Sequence, residues 1–418
     1  MTAELENVTT DVLNKWATDM AGPVALHLKQ KLLPVEVDGG IIFPPTYADI
    51  GYNIDTLSDG TRIAAIDSVG SQANRLEPIF KAAAGTKRKE WLVPQIQIVL
   101  RTEDCGECDA CKAASGEKPP DGKRKHGQCE NPHKVTRSIL DLAHRGADAV
   151  VQSCPVLSSL VEEAFQKLRR NGDAAALCEI APTSLVFGVW DSRGSSGEKR
   201  PRLVRSIIRA WDVDPLHAAA QFNSVWKALD EKQQKELETE AKAKKVKLSV
   251  KGFADAPGVF RKTDKIPQYS DGAPNPEARV LGGVVARGRI EREVTVNLVA
   301  LRGLRGRDAT ETEHIRKYLL GLSLVAATAD IDLFLREGCH LRYTGEDEWY
   351  KVPRRGDPIG VKLEVSAHDY ARGVANHFRE AWQKRWPNDE NLEYRFELKE
   401  AVKLLATKTE DEKTPEQP

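Results

Sequence analysis

Arginines are concentrated between residues 193 and 209, and arginine is the side chain best suited to bind phosphate. The basic residues of this segment, which occur against the single acid Glu198, are Arg193, Lys199, Arg200, Arg202, Arg205 and Arg209. A guanidinium group binds two phosphate oxygens at once. If residues 202–209 are helical, Arg202, Arg205 and Arg209 share one face at i, i+3 and i+7. We therefore predict that Arg193, Arg202, Arg205 and Arg209 bind phosphates, with a solvated basic face as the alternative.

Two further groups of polar and basic residues are candidates for the same chemistry. The first group is Gln72, Asn74 and Arg75. It lies in Ser71–Glu77, which we interpret as the beginning of a helix, where backbone amides attract an anion. The second group is Arg302, Arg305 and Arg307. Gly303 and Gly306 alternate with these arginines and permit a close approach of the backbone to a ligand. The alternative for each arginine is a surface ion pair with a nearby acid.

Four of the seven cysteines occur within a 25-residue stretch: Cys105, Cys108, Cys111 and Cys129. His126 and His133 lie beside them. Tetrahedral zinc accepts four thiolates, or three thiolates and one imidazole, and thiols stay reduced in the cytosol. We predict that the four cysteines bind a structural Zn²⁺. An iron–sulfur cluster and unliganded thiols are the alternatives, although the Cys-Pro continuation of bacterial ferredoxins is absent.

The remaining cysteines and two tryptophans look structural. Cys154, Cys178 and Cys339 are isolated in the sequence, and we expect them to be buried packing residues. Trp190 and Trp211 have apolar neighbours, so we expect both in the core rather than in contact with bases.

The sequence lacks the patterns that are typical of enzymes. It contains no pair of carboxylates at metal-binding spacing, no nucleophile elbow and no Walker sequence. We interpret Asp67 and Asp191 as helix caps or ion-pair partners. We interpret His144 as a structural residue near Asp141 or Asp148, with RNA contact as the alternative. We therefore predict a protein without enzymatic activity.

Composition and charge limit the class of protein. The chain has 418 residues, 40% of them hydrophobic, so it is long enough to bury a substantial core. Its formal net charge is zero, which argues against nonspecific coating of nucleic acid, although basic residues form local islands. No hydrophobic run reaches membrane-spanning length, and the first residues lack the features of a signal peptide. We expect a cytoplasmic protein without a membrane partner.

Both helices and strands are needed to position the candidate residues. We predict strands over Thr61–Asp67, Trp91–Leu100 and Val294–Leu301. We predict helices over Val12–Leu33 with a break at Gly22-Pro23, over Leu216–Lys247 and over about Thr310–Ala329. Ser138–Val151 fits either a helix or a buried connection. We interpret Gly252–Pro276 as a mobile loop and the residues after Leu405 as a disordered tail. This mixture predicts an α+β fold.

Three motifs stand out along this pattern: Asn-Arg-Leu-Glu at residues 74–77, Phe-Gly-Val-Trp-Asp-Ser-Arg-Gly at 187–194 and Arg-Ser-Ile-Ile-Arg-Ala at 205–210. With Ser138–Val151 and Leu298–Arg342, they resemble the backbone subunit of CRISPR type I-G effector complexes, formerly type I-U, of the RAMP superfamily. The resemblance covers most of the chain in pieces. It implies one RAMP domain over residues 1–405, with an RNA-recognition-like (ferredoxin-like) core and large insertions, before a disordered tail at 406–418. We assign the insertions to residues 102–134, which are rich in cysteine, and 216–278.

The resemblance also implies a function. Several copies of such a subunit line up along one guide RNA of a Cascade surveillance complex, with the other Cascade subunits, and the guide pairs with a target DNA strand in antiviral defense. The chain has 6% aromatic residues and no aromatic ribonucleoprotein motif, so contacts to phosphates and sugars are more plausible than base reading. Head-to-tail contacts between copies generate the helical filament that a long guide needs.

Two other functions stay open at this point. The first is a RAMP-type endoribonuclease that processes guide precursor RNA, in which His144, His217 or His314 acts as general acid or base. The second is a zinc-containing interaction subunit that makes no contact with nucleic acid.

Overall fold

Helices and strands are mixed along the chain in the structure, which is a computed structural model. It describes residues 5–47, 50–105, 129, 132–190, 199–217, 225–246, 248, 251, 253, 281–388 and 392–406. The helices are α1 (Thr10–Thr18), α2 (Val69–Leu76), α3 (Ala149–Gln152), α4 (Pro155–Asn171), α5 (Ala175–Ile180), α6 (Thr183–Val186), α7 (Glu231–Ala243), α8 (Leu298–Gly303), α9 (Ala309–Thr328), α10 (Ala367–Val374), α11 (Asn376–Arg385) and α12 (Leu398–Ala406). Short 3-10 turns occur at Glu77–Phe80, Arg88–Glu90, Ile139–Asp141, Arg145–Ala147 and Val225–Ala228.

The strands are shorter on average than the helices and belong to several sheets. They are β1 (Glu6–Val8), β2 (Ala25–Pro34), β3 (Ile41–Ile42), β4 (Thr46–Tyr47), β5 (Gly51–Tyr52), β6 (Ile54–Thr56), β7 (Arg62–Asp67), β8 (Gln97–Glu103), β9 (His133–Ser138), β10 (Val189–Trp190), β11 (Lys199–Arg200), β12 (Val204–Trp211), β13 (Val213–His217), β14 (Leu281–Ala286), β15 (Ile290–Asn297), β16 (Phe334–Arg336), β17 (Cys339–Val352), β18 (Ile359–Leu363) and β19 (Glu393–Arg395). The predicted α+β class is confirmed.

The largest sheet has the strand order β1-β18-β17-β2-β15-β12-β7-β6, with β16 paired to β17. Its four central strands, β17, β2, β15 and β12, are antiparallel to their neighbours. Along the chain, a long segment with helices α2 to α6 connects β2 to β12, a second segment with β13, α7 and β14 connects β12 to its neighbour β15, and α9 connects β15 to β17. This is the βαββαβ order of a ferredoxin-like fold. The smaller sheets are β13-β14-β3, β19-β8-β9 and the pairs β10-β11 and β4-β5.

One face of the central sheet is covered by helices. Alternate residues of β2, such as Leu26, Leu28 and Leu32, are fully buried there because side chains alternate between the two faces of a strand. Helix α9 contacts β12 and β15 on this covered face, and α2 contacts β12. Arg292 of β15 is also buried here and donates to the carbonyls of Ala326 and Ala327 at the last turn of α9.

The opposite face, which we call the open face, carries mostly polar side chains that are exposed or half-buried. Its residues on the four central strands are Arg205, Ile207, Arg209, Glu291, Glu293, Thr295, His27, Lys29, Lys31, Glu348 and Tyr350. Ile207 is the apolar exception and is 9% exposed. The sheet therefore presents a charged surface on the side away from α9.

Two of the predicted elements are correct and two have wrong boundaries. Strand β7 lies within Thr61–Asp67, and α9 matches the helix predicted over about Thr310–Ala329. The predicted helix over Val12–Leu33 is wrong after α1, because residues 25–34 form β2 in the sheet. The predicted strand over Val294–Leu301 is too long: the Asn297 side chain accepts a hydrogen bond from the amide of Ala300 and caps α8.

The other predictions from the sequence have mixed outcomes. Strand β8 begins at Gln97 rather than Trp91, and α7 covers only Glu231–Ala243 of the helix predicted over Leu216–Lys247. Residues 138–151 form 3-10 turns and the start of α3. Cys154, Cys178 and Cys339 are buried, as predicted. The predicted loop at Gly252–Pro276, apart from Phe253, lies outside the described residues, as does the tail predicted after Leu405, apart from Ala406, which ends α12. No helix of the described part is long and apolar enough to cross a bilayer.

Candidate nucleic-acid interface

The arginine-rich segment is a strand rather than a helix. Residues 204–211 form β12, which pairs on one side with β15 and on the other with β7, so the predicted helix is wrong. A central strand satisfies its backbone groups on both sides and buries Val204, Ile208 and Ala210 on the covered face. Arg205 and Arg209 still share a face, because residues four apart also point to the same side of a strand. Arg202 precedes the strand.

Arg202 and Arg205 are placed to receive an anion. Arg205 is exposed and Arg202 is half-buried, and neither forms an ion pair with any residue that the structure describes. Burial, together with the positive charges of Arg145 and Arg205, lowers the pKa of Arg202. A bound phosphate stabilises guanidinium groups whose positive charges repel one another, because it neutralises these charges and accepts their hydrogen bonds.

Arg209 is less available than the other two. Its guanidinium lies 3.0 Å from the carboxylate of Glu293, a diagonal neighbour on the adjacent strand β15. This ion pair offsets the positive charge that Arg209 could offer to a ligand. Arg193, the fourth residue of the predicted row, lies outside the described residues.

Arg145 is buried and holds two segments of the chain together. It is 7% exposed, and its Nε lies 2.7 Å from the carboxylate of Glu77. Its Nη groups donate to Asn74 Oδ1 and to the carbonyl of Gly188, each at 3.3 Å. Burial raises the pKa of Glu77 to about 7, although the charge of Arg145 opposes this shift. Arg145 thus ties the Asn-Arg-Leu-Glu segment to the residue that precedes β10.

The first polar group predicted to contact RNA is mostly used inside the fold. Gln72 is fully buried, donates to Asp67 Oδ2 at 2.7 Å and accepts from Ser206 Oγ at 2.7 Å. These internal contacts argue against the predicted contact of Gln72 with RNA. Arg75 forms an ion pair with the buried Asp67 at 3.3 Å and donates to the carbonyl of Leu335. Asn74 is exposed and accepts from Arg145.

The second predicted group, Arg302, Arg305 and Arg307, does not form a row of available arginines in the structure. Arg302 is 2% exposed and donates to the carbonyls of Trp16 and Pro23, at 2.9 and 2.7 Å, which argues against the predicted contact with RNA. Arg307 binds the carboxylate of Glu311, and these hydrogen bonds raise the pKa of Arg307. Arg305 is exposed and has no ion pair within the described residues. Arg305 alone is available in this segment, and a single arginine does not form a continuous phosphate-binding surface.

The open face contains a polar row that the sequence analysis missed. Cross-strand pairing places Arg205 opposite Thr295, Thr295 opposite His27 and His27 opposite Tyr350. His27 Nδ1 lies 3.1 Å from Thr295 Oγ1. Burial lowers the pKa of His27, and the charges of Lys29 and Arg205 add to the effect against that of Glu293. The lowered pKa favours the neutral imidazole. The alternation of leucines with polar residues after Ala25 was the signal that could have revealed this face.

The cysteine cluster is described in part. Strands β8 and β9 are antiparallel neighbours, and the insertion between them begins and ends close together. The amide of Cys105 lies 3.2 Å from Cys129 Sγ. Two of the four predicted zinc ligands are thus adjacent, which fits a tetrahedral thiolate site. Cys108 and Cys111 lie outside the described residues, within which no group of three possible metal ligands occurs.

The candidate acid–base residues are not gathered at this surface. The amide of His144 donates to Asp148 at 3.2 Å, which agrees with the interpretation of His144 as structural. His314 is on α9, in the helical layer, with its ring 4.7 Å from that of His377. Asp67 is buried between Arg75 and Arg336. Asp191 and the side chains of Trp190 and His217 lie outside the described part, and Trp211 is half-buried with Arg289 stacked on it at 4.2 Å.

The comparison with known proteins covers the segment that holds most of this surface. No curated protein sequence matches the chain. Residues 26–215, less than half of the chain, match the family model described as CRISPR-associated protein GSU0053. The matched segment includes His27, Arg145, Arg202 and Arg205. Over these residues the chain is similar to a CRISPR-associated family.

Proposed function

We propose that this protein is the guide-RNA-binding backbone subunit of a type I-G Cascade complex and that it binds RNA phosphates at Arg202 and Arg205. One observation carries the proposal. Two arginines without an ion-pair partner among the described residues lie at the start of β12, Arg205 on the open face and Arg202 just before the strand, inside the segment that matches a CRISPR-associated family. Such a site recognises the phosphate chain rather than the base sequence.

Recognition of phosphates suits a guide of any sequence. A subunit that holds the sugar–phosphate chain leaves the base edges of the guide free to pair with a target DNA strand. The acids of the open face, Glu291, Glu293 and Glu348, lie in rows other than that of Arg205 and Thr295, so phosphates are directed to one side of the sheet. The RNA would therefore follow the side of the sheet that holds Arg205 and Thr295.

The proposed complex contains several copies of this chain, other Cascade subunits and no membrane partner, and it is cytoplasmic. Because the formal net charge is zero, neighbouring copies repel one another little while each presents a local basic site. Head-to-tail contacts between copies extend as far as the guide does. We propose that the protein binds RNA without cleaving it.

We also propose that Cys105, Cys108, Cys111 and Cys129 hold a structural Zn²⁺. The contact between Cys105 and Cys129 supports this assignment, because it brings the first and last ligands together at the base of the insertion. Zinc there would fix the insertion to β8 and β9 and supply no reaction chemistry.

Co-purification tests the proposed function. The full chain is expressed with its partner subunits and a CRISPR array, purified by a tag, and examined by absorbance ratio, denaturing gel and mass of the complex. We expect an intact RNA of guide size in a large assembly that contains several copies of the chain. A monomeric chain free of RNA would contradict the proposal, and shortened RNA products that depend on this chain would indicate the endoribonuclease instead.

A further inference from the structure

Four side chains of different chemistry form a single row across the open face. They belong to four neighbouring strands and are Arg205, Thr295, His27 and Tyr350. Adjacent strands are about 4.8 Å apart, so the row extends over roughly 14 Å. It offers a guanidinium, a hydroxyl, an imidazole and a phenol in that order, without a carboxylate of its own.

The acids beside the row restrict what can lie above it. Glu293 is one row away, 3.9 Å from His27 Nε2, and is bound to Arg209. Glu348 accepts a hydrogen bond from the Tyr350 hydroxyl at 2.7 Å. A phosphate over His27 would meet these negative charges, whereas a phosphate at Arg205 would not. The group that follows the phosphate along the row must therefore be neutral and polar.

His27 and Thr295 are a matched donor and acceptor for a hydroxyl group. In the His27 tautomer with hydrogen on Nε2, Nδ1 accepts from the Thr295 hydroxyl 3.1 Å away. The Nε2–H is 3.9 Å from Glu293, too far for a hydrogen bond, and is left to donate to a ligand. The Thr295 oxygen then has lone pairs free for a further donor. A ribose 2′-hydroxyl both donates and accepts, and DNA lacks this group.

We infer that His27 and Thr295 bind the ribose 2′-hydroxyl next to the phosphate held by Arg205, so that the open face selects RNA over DNA. The inference rests on the proposed function, and it adds to it a pair of residues that distinguish the two nucleic acids. Arg205 supplies affinity for either one, because a phosphate is common to both. His27 and Thr295 supply the preference for RNA.

The test compares single-stranded RNA and DNA of the same sequence and guide length on the full-length protein, by fluorescence anisotropy at one salt concentration. The variants are His27→Ala, Thr295→Val and Thr295→Ser, with Arg205→Ala as the contrast. We expect the wild type to prefer RNA. His27→Ala and Thr295→Val should each weaken RNA binding about three- to tenfold and leave DNA binding unchanged, as for the loss of one hydrogen bond per site.

The remaining variants separate this inference from a general loss of binding. Thr295→Ser keeps the hydroxyl and should retain most of the preference for RNA, and Arg205→Ala should weaken RNA and DNA binding alike. Equal affinity of the wild type for RNA and DNA would overturn the inference, as would variants that lower both affinities equally. A wild type that binds neither nucleic acid would contradict the proposed function itself.

Discussion

Replacing Arg202 and Arg205 together by alanine removes the two guanidinium groups that lack an ion-pair partner at the start of β12 among the described residues. Each phosphate contact to a single strand contributes about 0.7 to the slope of log K against log salt concentration. The double variant should therefore lower that slope by about 1.4. At 0.1 M salt this corresponds to roughly a 25-fold loss of affinity, which shrinks toward zero near 1 M salt.

The assay is fluorescence anisotropy with labelled guide-length RNA between about 0.05 and 0.5 M salt, the range in which counterion release dominates. Two unrelated spacer sequences are compared, because backbone recognition predicts the same loss for both. The control replaces Lys167 and Arg372 by alanine. These residues lie on helices, pair with Glu163 and Asp369, and change the net charge by the same amount.

The control variant should bind RNA with nearly the wild-type slope. If it loses as much affinity as Arg202→Ala/Arg205→Ala, net charge rather than a defined site determines binding, and the reasoning fails. A loss confined to one spacer would contradict backbone recognition. An unchanged slope in the Arg202→Ala/Arg205→Ala variant would show that these arginines do not contact phosphates.

Three more outcomes are expected. Arg302→Met removes two buried hydrogen bonds and should lower the free energy of unfolding by about 2–4 kcal/mol in urea melts, with no change in the salt slope of RNA binding. Burial raises the pKa of Glu77 from 4.5 to about 7, so its contribution to stability is full below pH 4.5 and is lost as the pH rises through about 7. As the pH rises from 5 to 8, the Tm of the wild type should therefore fall relative to the Tm of Glu77→Gln. Metal analysis should find about one zinc per chain, and Cys105→Ser/Cys129→Ser should lose it and lower the Tm.

Each of these outcomes has a contrary result. A shallower salt dependence of RNA binding in Arg302→Met would indicate that Arg302 contacts RNA. A Tm difference between wild type and Glu77→Gln that does not vary with pH would mean that Arg145 keeps the carboxylate ionised throughout. Iron in place of zinc, or no metal in freshly purified protein, would contradict the zinc assignment.

Elements with a strong local signal were predictable from the sequence. Helix α9 has an Asp308 cap and a long apolar run, and β7 follows a turn at Ser58-Asp59-Gly60, so both were located within a residue or two. The buried cysteines were also predictable because each is isolated from the other cysteines in the sequence. In these cases local sequence and tertiary packing favour the same structure.

The environments of the arginines were harder to predict, because the spacing of residues along the sequence does not determine which side chains are buried. A spacing of three and four residues suggested a helix at Arg202–Arg209, but the pairing of β12 with two strands overrides that local pattern. Arg302 has the same sequence context as an exposed arginine, and its burial depends on the carbonyls of Trp16 and Pro23, almost 300 residues away. Gln72 is likewise buried by Ser206 and Asp67.

Crosslinking tests the central claim most directly, since it locates the RNA on the protein. The assembly is purified with its guide RNA and irradiated, and crosslinked peptides are identified by mass spectrometry. We predict crosslinks in the peptides that contain Arg202–Arg205 and His27, on the open face of the sheet. Crosslinks confined to the helical layer, in α4, α9 or α10, would contradict the proposal that this face holds the guide.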